Sequence, residues 1–228
     1  MDYSGNPERI FIIVPAFNES RTISKVLDEL KKYRYSIIAV DDGSTDGTYD
    51  IASNFSVILI RHEINRGLGA SLQTGFKKAH DLGAEFIVTF DADGQHRASD
   101  IPRLLEPLIN DEADVAVGSR NFSMHAPIIR KAYNKIANLL GYVIFGIYVS
   151  DTQSGLRAFK MNALEKFRAL GDRMEISSEI IGEIGRLKLR LKEIPIDPVY
   201  TEYSLSKGQS FKNGIKTFIA LIMHKLKM

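Results

Sequence analysis

Between Ile10 and Val117, short apolar runs alternate with stretches of helical periodicity. Ile10–Val14, Ile37–Val40, Val57–Ile60, Phe86–Phe90 and Val115–Val117 are apolar throughout, as strands covered on both faces are. Helical patterns fill the gaps at Glu19–Tyr33, Thr45–Phe55, Gly67–Leu82 and Ser99–Asn110. Ser99 is the expected N-cap of the last, with Pro102 in its first turn. This alternation predicts an α/β fold with a mostly parallel sheet and right-handed crossovers. Ligands of such sheets bind beyond the C-terminal strand ends. That rule directs attention to Pro15–Glu19, Asp41–Asp46 and Asp91–Gln95.

The second half is less regular. Ile128–Val149 reads as an apolar helix, Leu156–Lys160 as a strand and Ile176–Leu187 as a helix. Leu191–Ile194 reads as a strand ending at Pro195, and Phe211–Met228 as an amphipathic helix. The chain of 228 residues is 44% hydrophobic and 25% charged, which is the composition of an ordinary globular domain and excludes disorder and coiled coil. One domain is expected over 1–210, followed by the helix 211–228. The net charge of +2 is too balanced for a nucleic-acid coat. It is unevenly spread: five lysines and no acid follow Glu202, so the rest of the chain carries −3. Cysteine is absent, which removes disulfides, thiolate nucleophiles and cysteine-based zinc sites. The longest uncharged stretch, Ile136–Ser150, has fifteen residues, short of the roughly 20 needed to span a bilayer. No apolar leader precedes Ile10. The expected location is the cytoplasm, peripheral on the cytoplasmic face of a membrane.

Each candidate cluster has a bland reading beside the chemical one. Asp41-Asp42-Gly43-Ser44-Thr45-Asp46 places two adjacent carboxylates that repel unless a donor or cation meets them; the same residues also build turns and caps. Asp91-Ala92-Asp93-Gly94-Gln95 follows an apolar strand and suits a hard divalent cation completed by phosphates and water. An EF-hand would need a glutamate where Pro102 stands. Asn65-Arg66-Gly67-Leu68-Gly69 precedes a helix, but Leu72 replaces the third glycine of a dinucleotide fingerprint. The Gly-Lys-Ser/Thr of a P-loop is also missing. His62, His80, His96, His125 and His224 show no ligand spacing; only His96, beside Gln95, lies near the acidic cluster.

Read together with Val14-Pro15-Ala16-Phe17-Asn18-Glu19, these clusters resemble glycosyltransferase family two, a family of GT-A fold. The segments "VPAFNE", "VDDGSTDGT", "NRGLGAS" and "FDADGQH" stand in that family's order. "VAVGSRNF" (115–122), "SDTQSGLRAF" (150–159) and "MEISSEI" (174–180) resemble the subgroup related to dolichyl-phosphate mannose synthase. The likeness runs from Ile10 to about Gln209. Many relatives carry C-terminal transmembrane helices, and no such span is present in this sequence.

The resemblance implies an inverting hexosyl transfer from a GDP- or UDP-linked sugar, helped by Mg²⁺ or Mn²⁺. It implies Asp93 as first metal ligand, with Asp91 and Gln95 beside it. Pro15, Ala16, Phe17 and Glu19 would border base and ribose, with Asp42 or Asp41 holding the base edge or the ribose, and Arg66 and Ala92 nearby. For a polyprenyl phosphate acceptor, Arg120, Arg130 and Lys207 would hold the phosphate. A phosphate monoester is already anionic near neutral pH and needs no base. A saccharide hydroxyl would need one, with Asp151 or Glu179 in that role. A nucleotide-sugar-binding module without turnover is the third reading. The apolar face of 211–228, with its interspersed lysines, fits a lipid surface, a membrane protein or a second copy of the chain; core packing is the alternative.

Overall fold

The computed structural model describes residues 9–120, 147–168 and 170–199. Seven strands form one sheet: β1 (Ile10–Ala16), β2 (Ser36–Asp41), β3 (Ile58–Arg61), β4 (Phe86–Thr89), β5 (Val115–Ser119), β6 (Arg157–Lys160) and β7 (Leu191–Pro195). Their order is β3-β2-β1-β4-β6-β5-β7. Every pairing is parallel except those of β6, which runs antiparallel to both β4 and β5. The helices are α1 (Ile23–Leu30), α2 (Thr48–Ala52), α3 (Leu68–Asp81), α4 (Ile101–Ile109), α5 (Met161–Leu164) and α6 (Ile176–Arg186).

The continuous apolar strands are explained by helices on both faces. Along β1, Ile10, Ile12, Val14 and Ala16 join one core while Phe11 and Ile13 join the other. The first core takes Ile23, Val26, Leu27 and Leu30 from α1 and Ile101, Leu104, Leu105 and Leu108 from α4. Both sets follow the i, i+3, i+4, i+7 stripe of a helix lying on a sheet. The second takes Leu72, Phe76 and Ala79 from α3 and Ile176, Ile180, Ile181 and Ile184 from α6. Each fully buried side chain of this size contributes about 1.5–3 kcal/mol over its exposed state.

Several boundaries differ from expectation. The first helix starts at Ile23 rather than Glu19, and the backbone N–H groups of Asn18, Glu19 and Ser20 before it bond to the side chains of Ser44, Thr48 and Asp46. The second is shortened to Thr48–Ala52. Ser99 does not cap α4: it lies inside a 3₁₀ turn, Ala98–Asp100, and Asp100 occupies the N-cap. Strand β7 includes Pro195, which pairs with Ser119. The sheet edge tolerates a proline because the missing N–H has no second neighbour to serve. Most of Ile128–Val149, and all of Phe211–Met228, lie outside the described residues.

Helix α3 lies so close to β1 that a Cβ on Gly75 would stand 2.4 Å from Cγ2 of buried Ile13. Alanine at 75 gains about 1 kcal/mol of helix propensity, but overpacking a filled core costs about 1–3 kcal/mol. Gly75→Ala is therefore expected to lower Tm. Thermal unfolding checks this, and an unchanged or raised Tm would show that α3 can shift outward freely.

Candidate active site

The reversal of β6 places its first residue on the same edge of the sheet as the last residues of β1, β2 and β4. In register, Arg157 faces Thr89 across β4 and Val117 across β5. The turn entering β6 therefore stands beside the acidic loop leaving β4. It carries Asp151 and Gly155, and the loop carries Asp91, Asp93 and Gln95.

Asp91 is partly exposed, and Nε2 of buried His96 lies 3.3 Å from its Oδ2. Burial opposes the Asp91 charge, but His96, Arg120 and Arg157 outweigh it and hold the carboxyl below its ordinary range. Asp93 moves the other way: burial first, then the Asp91 charge, push it up. Its oxygens accept the Gln95 backbone N–H at 2.9 Å and the Gln95 side-chain amide at 2.6 Å. Glu19 adds to the negative potential at Asp93. Two neighbouring carboxylates of opposite shift form a site that a cation would relieve. Among the described residues no cluster of three or more His, Asp or Glu forms a protein-only cage. Oxygen ligands in this small number fit Mg²⁺ or Mn²⁺ sharing its remaining positions with phosphates. Ala92, between the two, is buried in the core and offers only backbone.

The expected base-side residues divide into two kinds. Pro15 is partly buried, Ala16 buried, and Phe17 exposed at 43%. Glu19 lies next to them, with its carboxylate accepting the Thr22 hydroxyl at 3.0 Å. Asp41 is buried with neither oxygen hydrogen-bonded; Arg61 Nε stands 3.3 Å away. Asp42 follows directly on Asp41, the last residue of β2. It is buried, and its carboxylate meets His62 Nδ1 at 2.7 Å, Arg66 N–H at 3.0 Å and Gly67 N–H at 2.7 Å. These bonds clamp the 65–69 loop to the end of β2. His62 spans from Asp42 to the Thr74 hydroxyl, 3.0 Å from Nε2. The Arg66 side chain is exposed while its backbone is held.

On the other side, Arg120 and Asp151 form one bidentate pair. Nε lies 2.6 Å from Oδ2 and Nη2 2.8 Å from Oδ1, with the Arg120 N–H 3.2 Å from Oδ2. Burial works against the Asp151 charge, but Arg120 overrides it and lowers the carboxyl's pKa. Asp151, the residue expected as base for a hydroxyl acceptor, is here the ion-pair partner of Arg120. Glu179, the other residue expected as base for a hydroxyl acceptor, accepts the Gly171 N–H at 2.5 Å and supports the 170–172 loop, whose Asp172 carbonyl accepts the Ala70 N–H at 2.9 Å. Arg130 and Lys207 lie outside the described residues.

Sequence reading did not single out Arg157. It is 3% exposed, and burial lowers its pKa to about 10 against the favourable charges of Asp91 and Asp151, so it stays a cation at neutral pH. It also passed over Glu193, which accepts both the N–H and the hydroxyl of Ser150 at 2.7 and 2.6 Å. A buried arginine inside an apolar strand, "LRAF", was the available signal, since such residues are rarely buried without a partner.

Two outcomes follow for the loops. Asp42→Asn retains one acceptor for three donors and is expected to cost about 1.5–3 kcal/mol, the range for a charged hydrogen bond, read by urea unfolding. Asp46 accepts Thr48 N–H and hydroxyl at 3.1 and 2.5 Å and Ser20 N–H at 3.0 Å. Burial nudges its pKa upward, but these bonds lower it from 3.8 to about 2. Its contribution is fully present above the unfolded value and is lost as pH falls through about 2. Wild type and Asp46→Asn should differ in unfolding midpoint at pH 7 and converge near pH 2; a gap that persists there would assign the tie to something other than ionised Asp46.

Residues 11–168 match the family model described as glycosyl transferase family 2. The chain is 40% identical to UDP-N-acetylglucosamine–dolichyl-phosphate N-acetylglucosaminyltransferase of Methanococcus voltae, over 95% of this chain and 96% of that one. It is 30% identical to undecaprenyl-phosphate mannosyltransferase of Micrococcus luteus, over 87% of each. The fold matches glucosyl-3-phosphoglycerate synthase of Mycobacterium tuberculosis, a structure holding Mn²⁺, UDP-glucose and phosphoglyceric acid, with TM-score 0.72 at 17% identity over 97% of this chain and 80% of that one. With its ordered motifs on the C-terminal edge of this sheet, the chain belongs to glycosyl transferase family 2 and is a glycosyltransferase of GT-A fold.

Proposed function

We propose that the protein transfers a hexose from a nucleoside diphosphate to a polyprenyl phosphate, with inversion at the anomeric carbon, working peripherally at a membrane face. The observation that carries this reading is the Arg120–Asp151 pair. The carboxylate that would deprotonate a hydroxyl acceptor is spent on a guanidinium, with Nε 2.6 Å away. A phosphate monoester needs no such base, and its charge suits the cationic side of the same pair. The Methanococcus voltae relative, named for UDP-N-acetylglucosamine and dolichyl phosphate, supports that donor and that acceptor class here.

The residues divide the work. Asp91, Asp93 and the Gln95 carbonyl would hold Mg²⁺ or Mn²⁺, which when bound neutralises the departing diphosphate. His96 orients Asp91 through the 3.3 Å contact. Pro15, Ala16, Phe17, Glu19 and Arg66 border the nucleotide, and buried Asp41 stands as candidate acceptor for a base N–H. Arg120 holds the acceptor phosphate so that its oxygen faces the anomeric carbon opposite the leaving diphosphate, and no residue becomes covalently attached. Arg130 and Lys207 are proposed to assist at that phosphate.

Titration calorimetry with UDP-N-acetylglucosamine, UDP-glucose and GDP-mannose, each with and without Mn²⁺, should show metal-dependent binding of the first. Asp93→Ala should abolish that dependence without unfolding the chain. Arg120→Ala should raise KM for a short-chain polyprenyl phosphate at least tenfold while donor binding stays within twofold. Transfer to saccharide hydroxyls but not to the prenyl phosphate would sink the acceptor assignment.

A further inference from the structure

Arg157 is a buried cation that the transfer reaction, as derived above, does not use. Its Nε donates to the Ser154 carbonyl and its Nη2 to the Thr152 carbonyl, both at 2.8 Å. The turn from Asp151 to Gly155 is thereby wrapped around its own guanidinium. Both ends of that turn reach the site. At one end, Asp151 holds Arg120. At the other, Gly155 presses so closely on Asp91 that a Cβ there would lie 2.0 Å from Oδ2. The Gly155 carbonyl accepts the Thr89 hydroxyl at 2.7 Å, which ties the same point to the end of β4. The turn is therefore a strut between the donor-side carboxylate and the acceptor-side guanidinium.

The charge matters as well as the shape. Asp91 and Asp151 are two anions at one sheet edge, and Arg157 is a cation buried behind both. A buried guanidinium is retained only with partners for its donors and its charge. Here carbonyls of the turn take two donors and the two carboxylates balance the charge. A lysine offers a single point charge and cannot span two carbonyls with a rigid fork.

We propose, resting on the transfer reading above, that Arg157 is a positioning residue for both halves of the reaction: it folds the 151–155 turn so that Gly155 seats Asp91 and Asp151 aims Arg120. It touches neither donor nor acceptor. A single substitution at 157 should therefore disturb two binding events on opposite sides of the anomeric carbon.

The experiment compares full-length wild type with Arg157→Met and Arg157→Lys. Mn²⁺-dependent binding of UDP and of GDP is read by calorimetry, without turnover. KM and kcat for a short-chain polyprenyl phosphate, and Tm, are read alongside. Gly75→Ala serves as a destabilised control, since its contact is with Ile13 in the core. Arg157→Met is expected to weaken Mn²⁺·nucleotide binding at least tenfold and to raise acceptor KM at least tenfold, while Gly75→Ala lowers Tm and moves neither. Arg157→Lys should recover less than half of either loss. If Arg157→Met does not fold, the lysine variant carries the test with the same two readouts. Binding and KM both within twofold of wild type, in whichever variant folds, would overturn the proposal, as would a loss confined to one side. Wild type that binds neither nucleotide with Mn²⁺ would overturn the transfer reading instead.

Discussion

The site depends on one antiparallel strand in an otherwise parallel sheet. If β6 ran parallel, its entry would lie at the opposite edge, with the N-terminal ends of β1 and β4. Because it is reversed, its entry turn arrives at the edge where β4 releases Asp91. The Thr89–Arg157 register then sets the distance between two groups that are more than 55 residues apart in sequence. Asp91 and the Arg120–Asp151 ion pair are neighbours only through this pairing.

The rest of the edge is built by side chains that satisfy backbone donors. Ser44, Asp46 and Thr48 take the N–H groups of Asn18, Ser20 and Glu19. Asn18 returns the bond through its Oδ1 to Thr45 N–H at 2.9 Å. Asp42 takes two more from the 65–69 loop. Loops beyond strand ends have no ladder to complete them, so buried N–H groups there must find other acceptors. Short oxygen-bearing residues meet that need, and the same oxygens make the edge acidic. The acidity of this edge is partly a by-product of how the loops are held.

This double use explains where sequence reading succeeded and where it failed. The strands and the three ligand loops were legible because apolar runs and Asp-Gly clusters are local signals. Asp91, Asp93, Gln95 and Arg120 were brought to one edge of the sheet, as their motifs implied. The bonds of Asp42 were not legible, because an acidic residue looks the same in sequence whether or not it faces a backbone N–H. The ion pair of Asp151 was hidden for a related reason: its arginine partner lies 31 residues away. Ser99 was expected as an N-cap from local pattern, and it lies instead inside the 3₁₀ turn.

Hydrophobic periodicity, which is local, settled the α/β class, the near-complete list of elements and the edge where chemistry collects. The ordered motifs, also local, settled the family. Strand order was not available in that way, because one apolar strand has no preference for a neighbour until side chains on both faces are packed. The reversal of β6, the pairing of Arg120 with Asp151 and the burial of Arg157 between two carboxylates all depend on contacts distant in sequence. Charge and burial acquire their meaning only when those contacts form, and so the division of the edge carboxylates into partly exposed groups, loop clamps and ion-pair partners belongs to the tertiary structure.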